Sequence, residues 1–202
     1  MIGIIDYGMG NLKSAANGLK KVGAAYVISD QADVLQQCDR LILPGVGAFA
    51  DALVNIKDRG LYEPVKKMVK EGKPLLGICL GMQMLYEESE ENGLSEGFGF
   101  LKGRIIRMKG DIRIPQIGWN LLEKKQEHPV FNLISDRPFV YYVHSYYANE
   151  TDPSEVYGTS CYGPIEVPGL VGKGNVMGCQ FHPEKSGEDG LAILKWFTEA
   201  EL

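Results

Sequence analysis

The sequence predicts an α/β protein with a mixed, mainly parallel central sheet, helices on both faces and added antiparallel strands. In the first half, short apolar runs alternate with stretches of helical periodicity. That is the pattern of βαβ units, whose right-handed crossovers place helices on both faces of a parallel sheet. In the second half, strand-like runs follow one another with only Gly, Pro, Asn and Asp between them, which reads as antiparallel material. The length of 202 residues suits about one domain. No repeat, low-complexity tract or linker divides it, so residues 1–202 are expected to form a single domain.

The elements follow in order. Residues 1–6 (MIGIID) are a short apolar run ending at Asp6, a first strand. After a glycine-rich turn, a helical pattern runs from Asn11 to about Val22. Residues 25–29 (AYVIS) read as a second strand, and residues 40–43 (RLIL) as a third, stopped by Pro44 and Gly45. Over residues 61–70 the apolar positions Leu61, Val65, Met68 and Val69 have helical spacing. Residues 74–78 (PLLGI) are a buried strand, and residues 80–88 (LGMQMLYEE) suit a helix. Strand-like runs then cover residues 104–108, 114–122, 138–143, 155–161, 165–171 and 175–181. From Ser186 to the end the chain is helical, with Leu191, Leu194 and Phe197 repeating at a spacing of three.

Composition excludes several classes of function. With 45% hydrophobic and 23% charged residues, the chain has the make-up of a folded globular protein, not of a disordered one. Its net charge of −5 argues against nucleic acid as the main partner. No apolar window approaches the ~18 residues of a membrane span, and the N-terminus lacks the basic start and apolar run of a signal peptide. Cys38, Cys79, Cys161 and Cys179 form no CxxC pair, which fits reduced thiols and a cytoplasmic location. The histidines, His128, His144 and His182, form no HExxH or Cys/His ladder, so no metal is expected. Asp6–Asn11 (DYGMGN) hints at a dinucleotide loop, but Lys13 and Ser14 stand where a third glycine is needed, and no P-loop is present. No cofactor is expected.

The chemistry centres on Cys79. Gly77-Ile-Cys79-Leu-Gly81 has the G-x-C-x-G form of a nucleophile elbow with Cys in place of Ser. Such a turn presents the thiol at the end of a strand, facing the free N–H groups and positive end of the next helix, which favour a thiolate. The competing reading is a buried structural cysteine with glycines for packing. A nucleophile also needs a base and an orienting acceptor. QFHPEK supplies both, since in an extended segment His182 and Glu184 face the same side. His144, in YYVHSYY, competes as base; its alternative is strand packing. His128, in QEHPV, reads as a solvated loop residue. Oxyanion donors are expected from the N–H of Leu80 and from Val46 and Gly47 of the loop LPGVGAF. Because glycines flank Val46, the Val46–Gly47 peptide is expected to turn its N–H toward or away from the thiol, a device for regulating activity.

With PGVG, GICLGMQ and FHPEKS in this order, the sequence resembles the class I (triad-type) glutamine amidotransferases, a family of flavodoxin-like α/β fold. GFGFLKGRI, at residues 97–105, is similar to the segment after the elbow in that class. The resemblance implies Cys79 as nucleophile, His182 as base and Glu184 as its orienting acid. It implies that Gln83 helps hold the substrate glutamine, and that Ser145 and Tyr146 contact its α-amino and carboxylate groups. Within the class, IIDYGMGNLKS, LPGVGAF, PQIGWN, YYVHSYY and HPEKSG resemble the glutaminase subunits of imidazole glycerol phosphate synthase. This implies a heterodimer with a (β/α)₈-barrel cyclase (HisF) that receives the ammonia. Position near the elbow and resemblance together point to Trp119, Asn120, Tyr141 and Lys185 as its interface. Two readings compete: the glutaminase subunit of another amidotransferase (pyridoxal phosphate, anthranilate or purine), or a stand-alone cysteine hydrolase of the same fold.

Overall fold

A computed structural model describes residues 1–200. Glu201 and Leu202, the end of the expected domain and of its last helical stretch, lie outside the described residues. The first half alternates as expected: β1 (Ile2–Ile5), α1 (Leu12–Lys21), β2 (Tyr26–Ser29), α2 (Ala32–Gln36), β3 (Arg40–Gly45), α3 (Phe49–Asp58), α4 (Tyr62–Lys70), β4 (Leu75–Cys79) and a one-turn α5 (Leu80–Gln83). Strands dominate the second half: β5 (Tyr86–Ser89), β6 (Ser95–Glu96), β7 (Leu101–Arg107), β8 (Gln116–Leu121), β9 (Glu123–Lys124), β10 (Phe139–His144), β11 (Tyr146–Asn149), β12 (Val156–Tyr162), β13 (Ile165–Lys173) and β14 (Val176–Cys179), before α6 (Gly187–Glu199).

Eight strands form the central sheet in the order β2-β1-β3-β4-β14-β13-β12-β9. The five from β2 to β14 are parallel, and β13, β12 and β9 continue the sheet antiparallel. Period-2 alternation splits the strand residues between two cores. Ile5, Leu41, Leu43 and Leu75 pack with Leu53 and Ile56 of α3 and Val65 and Met68 of α4. Ile2, Ile4, Ile42, Leu76 and Ile78 pack on the other face with Ala15, Ala16 and Leu19 of α1 and Ile193, Leu194 and Phe197 of α6. Because both faces are covered, β1, β4 and β14 are buried along their whole length and carry near-continuous apolar runs.

The structure corrects the sequence reading in four places. The helix expected over residues 80–88 ends at Gln83, and Tyr86–Ser89 is a strand between β6 and β7. Helical and strand spacing are not separable in so short an apolar run; pairing with β7 and burial of Tyr86 decide it. Helices α2 and α3 and strands β6, β9 and β11 were not anticipated. Not all the antiparallel material joins the main sheet: β8 and β10 form a two-stranded ribbon, and β11-β7-β5-β6 a separate four-stranded sheet. His128 is not a solvated loop residue. It stacks on Tyr157 with ring centroids 4.3 Å apart, meets Trp196 edge-on, and burial holds its pKa below the ordinary value.

The turn after β4 lies directly against β3. A Cβ on Gly81 would stand 1.8 Å from the Leu43 carbonyl oxygen, and one on Gly77 would stand 2.6 Å from the Gly81 oxygen. Neither neighbour is a flexible side chain, so the backbone itself would have to move. Gly81→Ala is therefore expected to destabilise the fold by roughly 4 kcal/mol, as overpacking at the severe end. Gly72→Ala, which meets open space at φ +99°, is expected to cost about 1–2 kcal/mol for its left-handed backbone alone. Urea unfolding of the two variants checks the difference.

Candidate active site

Cys79 ends β4 with φ 54° and ψ −110°, a backbone conformation that costs a non-glycine residue on the order of 1–3 kcal/mol. The strain turns the side chain out of the strand into the space between two loops. The helix that follows has only four residues, so a large macrodipole does not form. What the turn supplies is the set of N–H groups that the first helical residues leave without intrahelical partners, beginning at Leu80.

His182 follows β14 on the neighbouring parallel strand, and Pro183–Lys185 make a single 3₁₀ turn. Glu184 thus reaches His182 through a turn and not along an extended segment, because proline fixes the backbone there. His182 Nδ1 and Glu184 Oε1 are 3.0 Å apart, with both side chains about 3% exposed. The acceptor is a carboxylate, so Nδ1 carries the hydrogen and Nε2 is left for chemistry. Nε2 has no aligned hydrogen-bond partner. The Cys79 thiol instead donates to the Val143 carbonyl at 3.8 Å, and Gln180 Nε2 lies 3.9 Å from the sulfur. The sulfur is still near enough to act on the ring electrostatically. Burial alone would depress the His182 pKa; the Cys79 sulfur and the Glu184 carboxylate reverse this and raise it to about 9. For Glu184, burial pushes upward, but its bond to the imidazolium prevails and holds the carboxyl below its usual range.

A cavity of about 350 Å³ opens over the thiol and brings most of the predicted residues together: Val46, Gly47, Leu80, Gln83, Ser145 and Tyr146, with Cys79 and His182. Gly47 has φ +101° and is exposed, the region where glycine replaces side-chain-bearing residues. Tyr7, buried at the end of β1, donates its hydroxyl to the Pro44 carbonyl at 2.9 Å and so ties down the start of that loop. Gln83 lines the cavity, yet its amide nitrogen is spent on Tyr146 O at 2.9 Å and Gln180 Oε1 at 3.0 Å. His144 also lines the cavity. Its Nδ1 donates to Tyr146 O at 2.8 Å, and burial lowers its pKa to about 4, so at neutral pH it is an uncharged ring without a carboxylate partner.

The sequence reading missed Glu91, Pro115 and Val143 of the cavity lining, and Gln180 behind it. Glu91 adds a carboxylate to the wall; its Oε2 accepts from the Phe49 N–H at 2.8 Å. Gln180 is buried between the thiol and Gln83. Only Gln180 had a readable signal, two positions before His182 at the end of a strand and hence on its side of the chain. The four predicted interface residues separate. Trp119 is 53% exposed and meets Tyr141 edge-on across the ribbon, with centroids 6.0 Å apart. Lys185 is exposed beside the turn. Asn120 points to the other face of β8, where it accepts from Gln116 Nε2 at 2.8 Å and donates to Cys161 O.

Comparison with known proteins gives a consistent picture. Residues 3–200 match the family described as Glutamine amidotransferase class-I. A Bacillus cereus protein named imidazole glycerol phosphate synthase subunit HisH is 52% identical, over 98% of this chain and 93% of its own. The protein of the same name from Bacillus velezensis is 47% identical, over 98% of this chain and 96% of its own. Among solved structures, one described as a glutamine amidotransferase superposes with a TM-score of 0.77 at 22% identity, over 98% of this chain and 97% of that one. The structure of PurLQS from Thermotoga maritima superposes with a TM-score of 0.75 at 23% identity, over 97% and 96%.

The raised His182 pKa makes stability depend on pH. The folded state holds the ring's proton more tightly than the unfolded chain, where the pKa is about 6.5. The resulting stabilisation is full below pH ~6.5 and is lost as pH rises through about 9. The stability difference between the native chain and His182→Gln is expected to shrink by on the order of 1–3 kcal/mol between pH 6.5 and 9.5. Urea unfolding at the two pH values measures it. An unchanged difference would show that the ring is not held protonated.

Proposed function

The chain belongs to the class I glutamine amidotransferases, and from that premise we infer that it is the glutaminase component of an imidazole glycerol phosphate synthase. The observation that carries this reading is the convergence of thiol, imidazole and oxyanion loop on one cavity, with the Glu184 carboxylate bonded to the imidazole from outside it, in a chain about half identical to the HisH proteins.

Glutamine lies in the cavity with its side-chain amide over Cys79. Ser145 and Tyr146 meet its α-amino and carboxylate groups, and Glu91 adds an acceptor for the ammonium. The Cys79 thiol gives its proton to His182 Nε2, and the thiolate attacks the amide carbon. The oxyanion is held by N–H groups of Leu80 and of the Val46–Gly47 peptide, each such donor worth about 10²–10³ in rate. His182, held as imidazolium by Glu184, gives its proton to the departing nitrogen, and ammonia leaves a thioester. His182 then takes a proton from water, the hydroxide attacks the thioester carbon, and glutamate departs as the sulfur recovers its charge. His144, uncharged and committed to Tyr146, supports the cavity wall and not the proton transfers. The exposure and left-handed backbone of Gly47 support a Val46–Gly47 peptide that turns its N–H toward the thiol on activation.

Ammonia released into neutral water becomes ammonium and loses its nucleophilic pair, so a second protein must take it directly. In our reading this is a (β/α)₈-barrel cyclase, bound as a heterodimer, which uses the ammonia to form imidazole glycerol phosphate and aminoimidazole carboxamide ribotide in histidine biosynthesis. The docking surface is the outer face of the β8–β10 ribbon. Ile117, Trp119, Phe139 and Val143 are exposed there in register, Ile117 opposite Val143 and Trp119 opposite Tyr141. A contiguous apolar face of this kind on a globular protein marks an interaction site. Val143 borders the catalytic cavity, so the surface adjoins the point of ammonia release, and Lys185 is exposed in the turn after His182. One domain over the whole chain, and a cytoplasmic setting in which all four cysteines stay unpaired, complete the proposal. No helix among the described residues is long and apolar enough to cross a membrane.

Cys79→Ala is expected to abolish glutamine-dependent synthesis by the complex while leaving ammonia-dependent synthesis largely intact. Loss of both, with the complex still assembled, would defeat the division of labour. Trp119→Ala is expected to weaken binding to the cyclase by about tenfold or more, as for an exposed aromatic anchor. Titration calorimetry measures it, and unchanged affinity would remove Trp119 from the interface.

A further inference from the structure

One strand carries both the exposed face and the backbone contacts of the catalytic pair. On the edge of β10 that is not paired with β8, the His182 N–H donates to the Tyr141 carbonyl at 2.9 Å. The Tyr141 N–H donates to the Ser186 hydroxyl oxygen at 2.9 Å, and that hydroxyl donates to the His182 carbonyl at 2.6 Å. Two residues further along β10, the Val143 carbonyl accepts from the Cys79 thiol. Ser186 is 1% exposed. Its hydroxyl therefore closes a buried three-bond clamp between the interface strand and the residue that holds the base.

The far side of the turn is close-packed, so the turn and the helices behind it move as one. A Cβ on Gly190 of α6 would stand 2.1 Å from the Pro183 oxygen, and one on Gly18 of α1 would stand 2.8 Å from Glu184 Cβ. Both helices already press on the His182–Ser186 turn with no side chain between. A close-packed interior transmits such a displacement instead of absorbing it. A shift of β10 therefore carries His182 with it, relative to a thiol fixed by its own elbow.

We propose that Ser186 is a positioning residue that couples the outer face of β10 to His182, so that a cyclase seated on Trp119 and Tyr141 sets the distance between imidazole and thiol. The proposal rests on the reading of the chain as a partner-activated glutaminase. A hydroxyl is needed because only a small group that donates and accepts at once can close the clamp. Alanine would leave the Tyr141 N–H and the His182 carbonyl without it.

The test uses the full chain with and without the cyclase, measuring glutamine hydrolysis, ammonia-dependent synthesis, complex affinity and melting temperature. For Ser186→Ala, the cyclase is expected to bind within twofold of normal, with KM for glutamine within twofold and ammonia-dependent synthesis unchanged. The activated kcat is expected to fall on the order of 10–100-fold, the cost of misplacing a reacting group by a fraction of an ångström to 1 Å. The activation factor, kcat with cyclase over kcat without, falls with it. Ser186→Cys, which keeps a hydrogen-bonding group of similar size, is expected to fall between the two and serves if the alanine variant does not fold. Normal activation of both variants would overturn the proposal. So would an equal loss of kcat with and without the cyclase, which would mark Ser186 as a structural residue only. A native complex without glutaminase activity would instead overturn the functional reading, and the proposal with it.

Discussion

The distance between the turn at residues 79–81 and strand β3 governs the geometry of this protein. Gly81 sits where a single added carbon would meet the Leu43 carbonyl at 1.8 Å, so the turn lies in contact with the neighbouring strand's backbone. That contact holds Cys79 at φ 54°, a conformation the residue would leave if it could. The strain is held by the parallel sheet on both sides, β3 on one and β14 on the other. The same two strands deliver the other parts of the site: β3 runs into the loop with Val46 and Gly47, and β14 runs into His182. Three consecutive parallel strands thus end in a nucleophile, an oxyanion loop and a base, at the carboxyl edge where open α/β sheets bind their ligands.

Electrostatics then decides which residues react. Two histidines border the cavity, and their surroundings drive them apart. His182 has a buried carboxylate at 3.0 Å and a sulfur nearby, and its pKa rises. His144 is buried against a carbonyl with no charge to favour its proton, and its pKa falls. A buried ion pair adds little to stability by itself, because desolvation offsets most of the attraction. Its value here is in holding one imidazole protonated and oriented in a dry site.

The β8–β10 ribbon joins these chemical parts to the outside. Its inner face buries Val140, Tyr142, His144 and Gln116, and its outer face leaves aromatic and aliphatic side chains in solvent. Strand alternation makes that division unavoidable once one face is buried. It also explains why adjacent residues of PQIGWN part ways: Trp119 looks outward, while Asn120 joins an internal amide chain through Gln116 and Cys161. A ribbon with an apolar outer face and hydrogen bonds to His182 and Cys79 along its other edge is suited to report a partner's presence to the site.

Local signals in the sequence determined much of this. The βαβ alternation, the elbow at Gly77–Gly81, the Pro-Gly loop after β3 and the His-Pro-Glu turn are short-range patterns, each imposed by backbone sterics or by covalent neighbours, and they can be read without knowing what lies across the sheet. The short span from Met84 to Ser89 had no such signature, and its strand exists because β7 and β6 offer it partners. Glu91 and Tyr7 stand at the site because distant segments fold against them: Glu91 takes the Phe49 N–H and Tyr7 the Pro44 carbonyl. The same holds for the clamp at Ser186, whose partners lie four and 45 residues away. Residue types and their local spacing fixed the chemistry available to the chain. Only the tertiary structure decided which histidine is charged, which face of the ribbon is open and which buried polar groups meet, because burial and long-range hydrogen bonds depend on elements far apart in sequence.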